Sequence, residues 1–367
     1  MPPSLDLLAL LGPMGQDRPT GQGRVAAPRL SRHAVHLDDG HRVQVAVAGR
    51  GVPLVVVHGF TAEGFLYAQT LSRLVASGFK VIAIDTAGHG GTAGLSARGG
   101  SLAGYAALLG RTVDHLGIKQ AVFAGHSLGG RIVTELVARE PRRGMAVLLL
   151  DAIVGDTWDS MVRAFRVAPG LMGVVGGVLA LDTLTTVPFL HDPRQAAKLA
   201  RLWVPGLLGN VRRPWNIAGA AISILRSGPT RWMLESLRDH HVPVFVLHGD
   251  RDVAVPLRTA EDAARRAHGQ LVVIHGASHS WLLKDPESLP GIVCDLLEDR
   301  LGRAVRTALT AAGCSFDDPT TDQIEAALYR RRAVVHELTP PLEYDLLDDV
   351  ERQPPRYRWT ISDTSSG

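Results

Sequence analysis

The stretch Ala121–Gly130 reads AVFAGHSLGG and sets the interpretation of the whole chain. A short apolar run ends at a glycine, presents Ser127, and leads into residues 131–138, which are apolar at helical spacing. The stretch therefore predicts a strand, a tight turn and a helix. Gly125 and Gly129 flank the serine in the G-x-S-x-G pattern of a nucleophile elbow, where a strained serine presents its hydroxyl at a helix amino end. The alternative is a glycine-rich turn without chemistry.

The length and composition indicate a globular protein with room for one large domain and an insertion or tail. The chain has 367 residues, of which 46% are hydrophobic and 20% are charged. Its formal net charge is only +3, and no basic stripe with interleaved aromatic residues is visible. We therefore expect no nucleic-acid partner.

The cysteine content argues against a disulfide framework and against a cysteine-ligated metal. The chain contains only Cys294 and Cys314 and has no C-x-x-C motif, which favours a reducing, cytoplasmic location. Residues 1–11 are apolar but lack the basic region and cleavage site of a signal peptide. No apolar run reaches the ~18 residues of a transmembrane helix. We expect neither a metal nor a cofactor.

Apolar runs of strand length recur along the chain and alternate with segments of helical spacing. This alternation implies right-handed crossovers and an α/β fold with a doubly wound, mostly parallel sheet. The eight predicted strands are 34–37, 43–47, 53–58, 79–84, 120–124, 145–150, 243–248 and 270–275. Helices are expected at 65–76, 101–117, 287–300, 302–312 and 321–338.

The alternation of strands and helices breaks in two places. Between Asp151 and about residue 241, apolar helical segments replace strands, which indicates a helical insertion above the sheet. Beyond residue 300 we expect helices and then a proline-rich, acidic tail that is extended and partly disordered. The predicted segments are a flexible leader (1–30), the first part of the core (31–151), a helical lid (152–241), the second part of the core (242–300) and a helical and extended C-terminal appendix (301–367).

A serine hydroxyl is a weak nucleophile and needs a general base, which in turn needs a group that orients it. After a G-x-S-x-G elbow these partners follow later strands, in the order serine, acid, histidine. Residues 248–256 read HGDRDVAVP after one predicted strand, and residues 275–281 read HGASHSW after the next. We therefore expect Ser127 as the nucleophile, His279 as general base and then acid, and Asp252 as the carboxylate that orients the histidine.

Five short motifs lie in a fixed order along the predicted strand ends. They are HGF at 58–60, DTAGHG at 85–90, GHSLGG at 125–130, HGDRD at 248–252 and GASH at 276–279. In this order they resemble the α/β-hydrolase superfamily, in its helical-lid branch of esterases, lipases, haloperoxidase-like enzymes and carbon–carbon bond hydrolases. The resemblance covers about residues 33–300 and implies the α/β-hydrolase fold with an eight-stranded sheet.

The resemblance also implies roles for residues around the serine. It assigns the oxyanion hole to the backbone N–H groups of Leu128 and Phe60. Supporting positions in the elbow and the neighbouring loops are His58, Gly59, Gly125, His126 and Gly129. His89 is expected to support these loops through hydrogen bonds, and Asp85 is expected to buttress one of them.

The identity of the acid has two alternatives. The family pattern places the carboxylate four residues after the histidine of HGxxD, which favours Asp252 over Asp250. Asp151 stands at the acid position of some relatives, but here we expect it to cap the start of the lid. One departure concerns the histidine loop, because Ser278 stands where many relatives have a glycine directly before the catalytic histidine. This departure puts the local loop geometry in doubt.

A serine at the elbow separates this chain from relatives that use an aspartate there to open epoxides or displace halide. The expected reaction is acyl transfer to water through an acyl-serine, which makes the protein a serine hydrolase of the carboxylesterase or lipase type. The lid is rich in apolar residues and carries few charges through 167–190, so we expect a small hydrophobic ester, with an apolar acyl group or a ring, as substrate. These residues could instead only pack the lid on the sheet.

Two alternatives to ester hydrolysis stay open. The same triad could serve carbon–carbon bond hydrolysis, perhydrolysis or acyl transfer to another acceptor. A non-catalytic ligand-binding protein is a further reading, although it has no need of all three triad groups. The apolar run 171–181 is too short to span a bilayer, and a weak contact of the lid with a membrane interface is a separate expectation, compatible with each of these functions.

Overall fold

The computed structural model describes residues 24–25, 30–60, 67–95, 100–186, 214–314, 319–339, 350–351 and 354–364. The strands in these ranges are β1 Arg24–Val25, β2 Ser31–His36, β3 Arg42–Ala48, β4 Val52–Val57, β5 Phe79–Ile84, β6 Ala121–His126, β7 Gly144–Leu150, β8 Val244–Gly249, β9 Gln270–His275, β10 Val350–Glu351 and β11 Arg358–Asp363. Nine of these described strands form one sheet in the order β11-β9-β8-β7-β6-β4-β5-β3-β2, and β1 pairs with β10.

The six central strands of the large sheet, β4 to β9, run parallel to one another. β2, β3 and β11 pair antiparallel at the two sides. Every residue of β4, β6 and β8 is buried, because helices cover both faces. The chain leaves β4 for β5 on one side and then crosses to β6 on the other, so the ends of β4 and β6 meet at a switch point of the topology.

Helices pack on both faces of the sheet and confirm the predicted doubly wound architecture. The helices on one face are Leu102–His115, Leu128–Arg139, Arg231–Asp239 and Leu257–Ala267. Those on the other face are Ala68–Ala76, Ser288–Glu298 and Arg300–Ala311. The short helices are Pro141–Arg143, a 3₁₀ turn, and Trp281–Lys284, which follows the histidine loop.

Between β7 and β8 the described residues form helices and no strand. Asp156–Val167, Gly170–Thr186 and Pro214–Leu225 precede Arg231–Asp239, while residues 187–213 of the predicted lid lie outside the described ranges. Apolar side chains of the second helix, Leu171, Val174 and Leu181, face solvent. The weak membrane contact expected of this segment stays a prediction, as does the division of the chain into five segments. No helix among the described residues is long and apolar enough to cross a bilayer.

The C-terminal appendix differs from its prediction in two ways. The expected helix 321–338 is two helices, Thr321–Leu328 and Val334–Leu338, because Tyr329 between them forms a β-bridge with Ile118. The tail, expected to be extended and partly disordered, contributes β11 as a ninth strand to a sheet predicted to have eight. Its side chains are mostly exposed, so the sequence has no apolar run that would predict the strand. Backbone pairing with β9 holds it, together with side-chain hydrogen bonds of Trp359, Thr360 and Asp363.

Candidate active site

Ser127 lies in the sharp turn between β6 and the helix Leu128–Arg139, as the sequence predicted. Its backbone is at φ 51° and ψ −113°, a conformation that is strained for any residue with a side chain. A Cβ on Gly125 would collide with the backbone of Gly129, and one on Gly129 would collide with the carbonyl of Val57. The two glycines are therefore required for this turn to close against β4.

His279 and Asp252 form a short hydrogen bond at the ends of β9 and β8. His279 donates through Nδ1 to Asp252 Oδ2 over 2.6 Å, and both side chains are buried. Asp252 Oδ1 accepts the amides of Ala254 and Val255 at 2.9 and 2.8 Å. Burial opposes the charge on Asp252, but His279 and these donors outweigh it and lower the pKa of Asp252. Burial likewise opposes protonation of His279, but the negative charge of Asp252 outweighs the effect of burial. The pKa of His279 is therefore raised.

Asp250, the alternative acid, does not contact His279 in the structure. Its Oδ1 accepts the amide of Gly276 at 2.7 Å, and its Oδ2 lies 3.2 Å from Nδ1 of His275. Asp250 therefore braces the start of the histidine loop, whereas Asp252 reaches the ring itself. This is the pairing that the motif spacing favoured.

Asp151 does not cap the start of the lid, and this expectation was wrong. The side chain of Asp151 is fully buried, and its backbone, directly after β7, is at φ 45°. Asp151 accepts the Gly249 amide at 2.9 Å and the Trp281 indole N–H at 2.6 Å. Burial raises the pKa of Asp151 to about 6. The carboxyl thus ties β7 to the acid loop and to the helix after the histidine, partners that lie too far along the chain to be read from the sequence.

His248 completes the group of buried polar side chains around the acid. Its Nε2 donates to the carbonyl of Val255 at 2.8 Å, and its Nδ1 has no hydrogen-bond partner among the described residues. Ligand atoms of Asp151, His248 and Asp252 lie within 4.8 Å of one another, a spacing that a metal could use. Both carboxylates already accept hydrogen bonds through both oxygens, so the chemistry of the donors favours a hydrogen-bonded cluster over a metal centre.

His126 connects the elbow to the histidine loop. Its Nε2 lies 3.1 Å from the carbonyl oxygen of His279, and the two rings are 4.8 Å apart between centroids. The loop after β9 therefore reaches back over two strands to lie beside Ser127. In the described part of the chain the Ser127 hydroxyl and the His279 ring share no hydrogen bond, a contact that often tightens only when substrate binds.

The amides assigned to the oxyanion hole lie at the ends of the adjacent strands β6 and β4. Leu128 begins its helix, so its N–H is one of the first four, which have no partner within the helix. Phe60 follows β4 and is half-buried. Both residues thus border the switch point at which Ser127 lies.

His58 orients the peptide that carries the Phe60 amide. Its Nε2 accepts the Thr86 amide at 2.9 Å, so Nδ1 carries the proton and donates to the Gly59 carbonyl at 2.7 Å. Burial lowers the pKa of His58 to about 4 and keeps the ring neutral. Because the C=O and N–H of a trans peptide point in opposite directions, holding the Gly59 carbonyl directs the Phe60 N–H away from His58.

The remaining predicted positions support the neighbouring loop. His89 is buried, with Nδ1 3.1 Å from both the Thr86 hydroxyl and the Ala87 carbonyl. Asp85 is packed so tightly against Gly90 that a Cβ there would collide with its carboxylate. At Ser278 the departure from the family glycine is harmless to the backbone, because Gly276, and not Ser278, takes the positive φ in this loop.

The alpha/beta hydrolase family model matches residues 54–289, so the chain belongs to the α/β-hydrolase family. A putative non-heme haloperoxidase of Mycobacterium phage D29 is 32% identical over 291 residues, which cover 77% of this chain and 100% of that relative. A bifunctional esterase/perhydrolase of Acinetobacter calcoaceticus is 26% identical, covering 65% of this chain and 90% of that relative. In sequence the chain is thus haloperoxidase- and esterase-like.

Solved structures confirm the fold independently. An esterase from Exiguobacterium antarcticum is similar with a TM-score of 0.58 at 19% identity, covering 72% of this chain and 99% of that one. A serine hydrolase involved in carbazole degradation is similar with a TM-score of 0.57 at 19% identity, covering 74% of this chain and 100% of that one. At this identity the likeness establishes a shared architecture.

Proposed function

We propose that the protein is a serine hydrolase that cleaves carboxylic esters through an acyl-serine intermediate on Ser127. One observation carries the proposal: His279, bonded to the buried Asp252 over 2.6 Å, lies on the loop that His126 connects to the strained serine turn. A buried, charge-assisted pair of this kind keeps a histidine in the tautomer that a general base requires. The family membership supports hydrolysis as the class of reaction.

Acylation begins when His279 Nε2 removes the proton of the Ser127 hydroxyl and the serine oxygen attacks the ester carbonyl. The negative charge that develops on the carbonyl oxygen is stabilised by the amides of Leu128 and Phe60. Collapse of this intermediate breaks the bond between the carbonyl carbon and the alcohol oxygen. His279 then donates to the alcohol oxygen the proton that it took from Ser127. Asp252 stabilises the imidazolium while it carries the charge. Water then repeats the sequence on the acyl-serine, releasing the acid and restoring the serine.

The substrate we propose has an apolar acyl group or a ring. Support comes from Phe60, which is half-buried, and from the helix Gly170–Thr186, whose Asp182 accepts the amide of Ser280 next to His279 at 2.9 Å. This helix carries the half-buried Met172 and Val175. Apolar side chains at these positions favour an apolar substrate, because ligand sites are lined mainly by such residues with a few polar groups for orientation.

A fluorophosphonate probe, which reacts with activated serine hydroxyls, tests the nucleophile. We expect wild-type protein to be labelled at Ser127 and to hydrolyse p-nitrophenyl esters, and Ser127→Ala to lose both. Ser77→Ala, a buried serine after the helix Ala68–Ala76, is the matched control and should behave as wild type. An unlabelled wild-type protein would favour a non-catalytic ligand-binding protein. Labelling that survives Ser127→Ala would show that Ser127 is not the nucleophile.

Perhydrolysis on the same acyl-serine is the second candidate, because relatives of this chain carry haloperoxidase and esterase/perhydrolase names. Hydrogen peroxide would replace water: its oxygen attacks the acyl carbon, the bond to Ser127 breaks, and a peracid leaves as His279 returns the proton. Peracid formed from acetate and hydrogen peroxide can be followed through bromination of a dye. We expect Ser127→Ala to abolish peracid formation and ester hydrolysis together, and a panel of ring-cleavage diketones tests carbon–carbon hydrolysis beside them.

A further inference from the structure

Three loops of the site meet at one phenol. Tyr67 lies just before the helix Ala68–Ala76, is buried, and has its hydroxyl 3.0 Å from Nδ1 of His126. The two rings pack edge to face with centroids 5.7 Å apart. The backbone of Gly59, in the loop after β4, faces the same phenol. On its other side, His126 reaches the carbonyl oxygen of His279 at 3.1 Å.

The donor and acceptor of each hydrogen bond from Tyr67 through His126 to His279 follow from the chemistry of the groups involved. A carbonyl oxygen only accepts, so His126 Nε2 carries a proton and donates it to His279. Burial lowers the pKa of His126 to about 3, so the ring is neutral and its Nδ1 is an acceptor. Burial raises the pKa of Tyr67, which keeps the phenol protonated. The Tyr67 hydroxyl therefore donates to Nδ1 of His126.

The residues around His126 are closely packed. A Cβ on Gly59 would lie 2.7 Å from Nδ1 of His126 and 3.2 Å from the Cβ of Ser127. The oxyanion loop, the elbow and the base loop are thus in direct contact at this point. A displacement of His126 would be felt by both of its neighbours.

We propose that Tyr67 is a positioning residue of the hydrolytic site: its hydroxyl holds the His126 ring in the tautomer and orientation that donate to the backbone of the catalytic base His279. The proposal rests on the proposed function. Without the phenol proton, the buried Nδ1 of His126 has no donor, and one of the two hydrogen bonds that hold the ring in place is lost. The ring can then turn, which weakens its hydrogen bond to the His279 carbonyl oxygen and lets the base loop move. Reactive groups must be held within about 0.5 Å of their productive geometry, so this movement lowers the rate.

The kinetic test is Tyr67→Phe, which removes only the hydroxyl. We expect kcat for p-nitrophenyl ester hydrolysis to fall roughly 10- to 100-fold, the effect of a misplacement of about 1 Å, with KM within about twofold. Labelling of Ser127 by the fluorophosphonate should slow in parallel. The matched control is Tyr329→Phe, a buried tyrosine that donates to the Gly51 carbonyl at 3.1 Å at the far end of the sheet. It should lose stability but retain wild-type kinetics.

A double-mutant cycle separates positioning from a merely structural role. If Tyr67 acts through His126, Tyr67→Phe costs no further activity in a His126→Phe background. Additive losses of activity, or wild-type kinetics in Tyr67→Phe, would overturn the proposal while leaving the serine hydrolase intact. A wild-type protein that neither labels nor hydrolyses esters would instead remove the proposed function on which the role of Tyr67 depends.

A measurement that needs no activity covers the case in which the variants do not fold. Nitrogen-15 shifts of the His126 ring in wild-type protein report its tautomer directly. We expect the proton on Nε2 and an unprotonated Nδ1. A proton on Nδ1 would mean that the Tyr67 hydroxyl does not donate there, and the proposal would be wrong.

Discussion

The sheet carries a cluster of polar side chains at each end, and the two clusters differ in burial and in strain. The catalytic-end cluster consists of Ser127, Asp151, His248, Asp252 and His279. The amino-end cluster, at the starts of β4 and β5, consists of Arg50, Lys80, Glu325, Tyr329 and His336. Both contain groups that are costly to remove from water. Only the first holds residues at positive φ and a buried nitrogen without a partner among the described residues.

In the amino-end cluster each charge meets a partner. Lys80 is 1% exposed, and its Nζ lies 3.0 Å from Glu325 Oε1 and 2.8 Å from Nδ1 of His336. Glu325 also receives Arg50 at 2.9 Å and the Gly51 amide at 3.1 Å. Through Glu325 this cluster fastens the C-terminal appendix to the core. Burial of polar groups alone therefore does not identify a functional site, and these two clusters are distinguished by strain and by an unsatisfied buried atom.

The largest effect is expected from neutralising the acid of the catalytic-end cluster. Asp252→Asn cannot hold His279 in the required tautomer, and we expect kcat to fall about ten-thousandfold. Asp250→Asn is the matched control, because its carboxylate braces Gly276 and does not contact the ring. Steady-state kinetics on p-nitrophenyl esters measure both. Equal losses in the two variants would show that the acid has been misassigned.

Breaking the amino-end cluster should change stability without changing catalysis. Glu325→Gln leaves Lys80 buried without its counter-charge, and we expect a loss of about 3 kcal/mol in the free energy of unfolding. Asp322→Asn is the control: its carboxylate also pairs with Arg50 but is 82% exposed, so its loss should stay below about 1 kcal/mol. Urea unfolding measures both, and kcat per folded molecule should not change. A large loss of kcat in folded Glu325→Gln would contradict the separation of the two clusters.

What the sequence could predict is what has a local signal. The eight strands of the core follow from apolar runs, and Ser127, Asp252 and His279 follow from motifs that place them at strand ends. The sequence also favoured Asp252 over Asp250 through its spacing from a histidine. The residues next to each of these positions are enough to predict its place in the fold, and the residue types themselves indicate the chemistry.

What the sequence could not predict depends on partners that are distant along the chain. Asp151 meets an indole 130 positions later, and nothing near it distinguishes this role from a cap. Lys80 lies inside an apolar run, and its counter-charge Glu325 comes from the appendix. β11 has mostly exposed side chains and exists because the edge of β9 accepts it. Tertiary contacts decide all three.

Asp151 gives the strained cluster its own pH dependence of stability. Its pKa in the folded protein, raised to about 6, exceeds the ordinary value of 3.8, so folding favours the protonated carboxyl. This contribution is complete below the ordinary pKa and is lost as pH rises through about 6. Relative to Asp151→Asn, wild-type protein should lose about 1.4 kcal/mol per pH unit across this window.

Urea unfolding of wild-type protein and Asp151→Asn from pH 4 to pH 7 measures this difference. His248, Asp252 and His279 face Asp151 and remain in both proteins, so comparing the two isolates the carboxyl. Glu325→Gln provides a reference from the paired cluster. A stability difference between wild type and Asp151→Asn that stays constant over this range would show that Asp151 keeps an ordinary pKa.

The smallest effect is expected from substitution of Ser278 in the histidine loop, where the backbone is not strained. Ser278 has an ordinary backbone, whereas Gly276, two positions earlier, is at φ 77°. Ser278→Gly should therefore keep kcat within about twofold and cost at most about 1 kcal/mol of stability, the entropic penalty of a glycine. Gly276→Ala, which meets no atom within 4 Å, tests conformation alone and should cost about 1–2 kcal/mol. If Ser278→Gly were instead the more damaging change, the serine side chain would have a role in the loop that its backbone does not reveal.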